Sequence, residues 1–119
     1  MDYRDLIVWQ RAMTLAEQVY RQTLDYPAEE RYGLVKQMRR AATSIPSNIA
    51  EGQGRLSSDL EFIRFLQIAR GSLCELDTQL ELSTRLTLIS DQRAAALRSH
   101  AEEVGRLLSG LMRSKQPGN

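Results

Sequence analysis

From Phe62 onward, apolar or small residues recur at alternating intervals of four and three: Phe62, Leu66, Ala69, Leu73, Leu76, Leu80 and Ser83. Only a helix turns positions at that spacing to one side, and such a seam is what bundle helices bury against each other. Ser58 stands ahead of it with Glu61 three residues later, a capping box that satisfies free backbone amides at a helix start. The stretch predicts a helix from Ser58 to about Thr87. One amphipathic helix cannot bury its seam alone, so the remainder of the chain must supply matching faces.

Three further segments do so. From about Asp5 to Asp25, Val8, Trp9, Ala12, Leu15, Ala16, Val19, Tyr20 and Thr23 form one helical stripe, closed by Tyr26-Pro27 because proline disfavours helical geometry in the residue before it. A second helix is expected from Pro27 or Ala28 to Glu51, with Leu34, Met38, Ala42, Ile45 and Ile49 inward. Pro46 lies inside it and predicts a kink, while Gly52-Gln53-Gly54 is expected to stop it. Ser90 is placed to cap a fourth helix with the seam Leu97, Ala101, Val104, Leu108 and Leu111. Short connections make neighbouring helices antiparallel, so the expected fold is all-α: an up-down-up-down four-helix bundle with a kinked second helix. It is expected to occupy residues 1–113 as one domain, with 114–119 as a fraying tail.

The chemistry available is sparse. His100 is the only histidine, which leaves no paired-histidine metal site and no Glu-x-x-His pairs of the di-iron kind. Cys74, the only cysteine, excludes an internal disulfide and reads as a half-buried inert thiol. Tyr20 and Trp9 read as core. Gly52-Gln53-Gly54-Arg55 lacks the third glycine, the preceding strand and the Lys-Ser/Thr pair of nucleotide-binding loops. No catalytic residue, metal or cofactor is expected, and the chain reads as a non-enzyme. Residues 1–5 open no signal peptide and no apolar run approaches about 18 residues, so a cytoplasmic protein without a membrane span is expected.

Two surface features stand out. Seven of the ten residues from Leu60 to Ala69 are apolar, more than one buried face requires. Phe65 and Ile68 fall outside the seam. They read as a subunit interface, the alternative being a wide core face closed over by loops. From Arg31 to Arg55 there are five bases against one acid, whereas residues 59–82 hold five acids and two bases. Lys36, Arg39 and Arg40 lie on the outer side of the second helix and Arg55 follows it. Such a stripe can hold phosphates, or it can pair with the acidic helices. A lateral band of Gln37, Ala41, Ser44, Asn48 and Glu51 further allows close helix approach through a hydrogen-bonded seam.

Several blocks together resemble one bacterial family. They are Val8-Trp9 with Ala12, Val19-Tyr20, Tyr32-Gly33-Leu34, Gln37, Arg39-Arg40-Ala41-Ala42, Ser44-Ile45-Pro46, Asn48-Ile49-Ala50-Glu51-Gly52, Arg55, Phe65-Leu66, Ile68-Ala69, Gly71-Ser72 and Glu75-Leu76. The family comprises four-helix-bundle proteins encoded in intervening sequences of large-subunit ribosomal RNA genes. Its relatives include the accessory variability protein of diversity-generating retroelements. The resemblance implies a homopentameric ring without enzymatic activity. By analogy with the retroelement relatives it implies contacts to RNA or DNA and to a reverse transcriptase, with Arg39, Arg40 and Arg55 as nucleic-acid contacts. The expected function is an oligomeric adaptor that binds nucleic acid without sequence preference through Lys36, Arg39, Arg40 and Arg55. The alternative is a protein-binding scaffold with no nucleic-acid role.

Overall fold

A computed structural model describes residues 2–54 and 58–116. The helices are α1 (Ile7–Gln22), α2 (Leu34–Gly54), α3 (Asp59–Arg85) and α4 (Asp91–Lys115), with single 3-10 turns at Tyr3–Asp5 and Ala28–Glu30. Each helix packs on its neighbours in chain order, and α4 closes back on α1. Cross-helix pairs fix the directions. Arg39 at the start of α2 reaches Thr23 at the end of α1, Ser44 meets Ser72, Glu81 meets Arg98, and Arg11 meets Glu103. Every adjacent pair is therefore antiparallel, giving an all-α up-down-up-down four-helix bundle of 47 × 24 × 20 Å.

The seams meet as their spacing requires. Leu15, Val19, Met38, Ala42, Ile45, Ile49, Leu66, Ala69, Val104 and Leu108 are wholly buried, and Phe62, Leu73, Leu76, Leu80, Leu97 and Ala101 are buried beside them. Ser83 ends the α3 seam inside the core, its hydroxyl donating to the Gln79 carbonyl. Both serine caps form: Ser58 Oγ accepts from Glu61 N and Ser90 Oγ from Arg93 N, each at 3.2 Å. Arg93 also ties the start of α4 to the end of α1. Its guanidinium donates to both Asp25 oxygens at 2.8 and 3.0 Å and to the Gln22 carbonyl at 2.7 Å. That hydrogen bonding holds the Asp25 carboxyl below its usual pKa.

Several expectations differ from the fold. Residues 27–33 do not open α2; they form a separate turn, and α2 begins at Leu34. Gly52 does not stop α2, which runs through it and through Pro46 to Gly54. A Cβ at Gly52 would lie 2.8 Å from Phe62 Cδ1 and 2.8 Å from Phe65 Cβ, so this glycine serves the close approach of α3. Ser114 and Lys115, placed in the tail by sequence, belong to α4. Cys74 is exposed, one position off the α3 seam. Tyr20 is no core residue, for its ring lies at the α1 surface.

Candidate functional site

The two flanks of α2 are built differently. Toward α1, the small Thr43 and Ser47 of α2 leave open grooves beneath the longer side chains of α1. One groove, of 530 Å³, is walled by Tyr20, Arg31, Tyr32, Lys36, Arg39 and Arg40 over Val35. Tyr32 is 81% exposed and Tyr20 43% exposed. A second groove, of 430 Å³, continues from shared Tyr20 and Thr43 past Met13 to Pro46.

Arg39 differs from its neighbours. Its guanidinium carbon lies 4.5 Å from the Tyr20 ring centroid. Its Nε donates to Thr23 Oγ1 at 3.1 Å and its Nη2 to the Tyr20 carbonyl at 3.3 Å. Arg39 is thus half-buried and engaged, where the sequence suggested a free outer cation. Arg31, Lys36 and Arg40 are exposed. None of these four bases makes an ion pair with a carboxylate among the described residues; the bridges there join Asp2, Asp25, Glu17, Glu81 and Glu103 to other arginines. No carboxylate walls the larger groove. Internal pairing of the stripe with the acidic helices, the other reading of the charge pattern, has no contact among these residues to support it. Arg55, expected to extend the stripe, lies outside the described residues.

Toward α3, the flank is closed and polar. Ser44 Oγ and Ser72 Oγ share a hydrogen bond of 2.8 Å, and Asn48 Nδ2 donates to the Ser44 carbonyl at 2.8 Å and its hydroxyl at 3.0 Å. The small band of α2 therefore does what its composition suggested, joining two helices through hydrogen bonds. Beside it opens a recess of 280 Å³ bounded by Gln37, Arg40, Ser44, Ser72 and Glu75. Arg40 borders both this recess and the large groove.

The two residues expected at a subunit interface separate. Ile68 is 52% exposed on α3, and Leu60 of the same helix is 59% exposed. Phe65 is half-buried, with its Cβ against Gly52, and is not left in water. Sequence reasoning named neither Tyr20 nor Tyr32 as a surface group, and counted Arg31 without giving it a role. The available signal was proximity: Tyr32 directly follows Arg31 and precedes a helix start rich in bases. Among the described residues no three His, Cys, Asp or Glu side chains gather as a metal site. No helix there is long and apolar enough to cross a membrane.

The fold has a solved counterpart. A protein of unknown function from the S23 ribosomal protein family of Bacteroides thetaiotaomicron superimposes with a TM-score of 0.79 at 25% identity, covering 89% of this chain and 98% of that one. No curated protein matches the chain. The family model for 23S rRNA-intervening sequence proteins matches residues 4–110, and the chain belongs to that family.

Proposed function

We propose that this protein is a non-enzymatic, oligomeric adaptor that binds single-stranded nucleic acid along the groove between α1 and α2. The observation that carries the reading is the groove itself: four bases without carboxylate partners surround two exposed tyrosines. Single strands are held by this combination, because cations track the phosphates while aromatic faces stack any base, at about 1–3 kcal/mol per stacked base. A duplex hides its bases and offers Tyr20 and Tyr32 nothing to stack on. The total charge of +1 is no obstacle, since no Asp or Glu among the described residues walls the larger groove, Glu17 of the second groove is paired with Arg21, and local charge governs contacts within about 8 Å at physiological salt.

Self-association is part of the reading. Leu60 and Ile68 leave apolar surface on α3, a helix with no contact to α1 among the described residues. Assembly through α3 leaves the groove open on every subunit, and repeated weak grooves gain affinity through effective concentration. The test is fluorescence anisotropy with twelve-nucleotide oligouridine and a duplex of equal length, at low and moderate salt. The single strand should bind more tightly, and its affinity should fall steeply with salt. Lys36→Ala and Arg40→Ala should each weaken it and flatten the salt slope by about 0.7 per lost phosphate contact. Absence of binding at low salt would overturn the reading in favour of a protein-binding scaffold.

A further inference from the structure

We propose that the recess between α2 and α3 receives one guanine base from the strand held in the neighbouring groove; the inference rests on the nucleic-acid reading above. The recess measures 280 Å³, near the lower end of the range for small-ligand pockets and suited to a single flat base. Its hydroxyls are partly committed: Ser44 and Ser72 share one hydrogen bond and Asn48 donates to Ser44, which leaves one hydroxyl proton over. Three polar heads remain. Gln37, Arg40 and Glu75 line the recess, yet none has a side-chain hydrogen bond or ion pair with a described residue. A carboxylate and a guanidinium that border one recess without pairing leave an acceptor-only group and a donor-only group for a ligand.

Guanine fits that pair better than the other bases. Its N1–H and N2–H donors stand side by side and match the two oxygens of the Glu75 carboxylate. Its O6 and N7 acceptors match a guanidinium fork, the commonest specific arginine contact to a base. Adenine and cytosine offer a carboxylate one exocyclic amine each, and uracil offers one ring N–H. Gln37 supplies a donor and an acceptor to whichever edge remains. Single strands permit this because their unstacked bases expose the Watson–Crick edge to protein groups. Arg40, which borders both cavities, places the recess beside the proposed path of the strand.

The experiment compares twelve-nucleotide oligouridine with the same strand carrying one central guanosine or one central inosine, which lacks the N2 amine. One guanosine should tighten binding about tenfold, within the range of one bidentate base contact. Inosine should recover only part of that gain. Glu75→Gln should reduce the guanosine-to-uridine ratio to what the Arg40 contact alone supplies, whereas Lys36→Ala should weaken both strands and preserve the ratio. If wild-type protein binds both strands equally, the recess takes no base and the groove reading stands alone. A guanosine preference left undiminished by Glu75→Gln would also overturn the assignment. If neither strand binds, the groove reading fails and this inference fails with it.

Discussion

The two flanks of α2 face helices of similar character and are nonetheless built to opposite ends. Against α3, Ala41, Ser44, Asn48 and Gly52 are small enough to bring the axes together, so that hydroxyls bond across the interface and two phenylalanines close on a glycine. Against α1, Thr43 and Ser47 are small too, but no ring or aliphatic side chain fills the space beside them. Grooves of 430 and 530 Å³ remain. Small residues therefore do not by themselves make a tight interface. What the facing helix places opposite them decides whether the result is a joint or a cleft. In this molecule the joint holds α2 in position and the cleft displays its bases.

The largest expected effect tests the joint. Gly52→Ala would place a methyl group 2.8 Å from Phe62 Cδ1 and Phe65 Cβ. The Phe65 Cβ cannot rotate away, so α2 and α3 must separate. Overpacking of this kind costs about 1–3 kcal/mol, and alanine returns at most about 1 kcal/mol through helix propensity. A net loss of up to about 2 kcal/mol should lower Tm by up to roughly 8 °C in a domain of this size. An unchanged Tm would mean that the helices are not close at this end. A smaller loss is expected at the centre of the same joint. Ser72→Ala removes one partner of the 2.8 Å hydroxyl pair, but Ser44 keeps its bond from Asn48. The cost should be about 1 kcal/mol by urea denaturation, with oligouridine affinity unaltered.

The joint was more legible in the sequence than the cleft. Periodicity located all seven residues of the α3 seam, and Ser58 and Ser90 marked two helix starts, because these signals depend on local geometry alone. The polar band on α2 was visible for the same reason. Gly52 was misread because a glycine that ends a helix and one that admits a neighbour look identical until the fold brings Phe62 and Phe65 of α3 against it. Tyr20 was misread for a related reason. It sits at the edge of the α1 stripe, and spacing does not say how far a facing helix covers that edge. Phe65 errs the other way: it lies off the seam, yet α2 comes close enough to cover it. The cleft depends on where neighbours fall short, which no single segment encodes.

The smallest effect on stability, and the one that most sharpens the contrast, belongs to Arg39. It lies in the cleft but behaves as part of the structure, stacked on Tyr20 and bonded to Thr23 and a carbonyl of α1. Arg39→Ala removes a partly exposed cation–π contact worth about 0.5–1 kcal/mol. The Thr23 hydroxyl keeps its bond to the Val19 carbonyl at 2.8 Å, so no buried donor is orphaned and the loss should stay below about 1 kcal/mol. Nucleic-acid binding should separate Arg39 from its neighbours. Lys36 and Arg40 have no side-chain partner to leave among the described residues, whereas Arg39 must give up three contacts to reach a phosphate. Arg39→Ala should therefore flatten the salt slope for oligouridine less than Lys36→Ala or Arg40→Ala does. Equal flattening by all three would show that the strand draws Arg39 off Tyr20 and frees the ring face for a base, and the cleft would then be remodelled by its ligand.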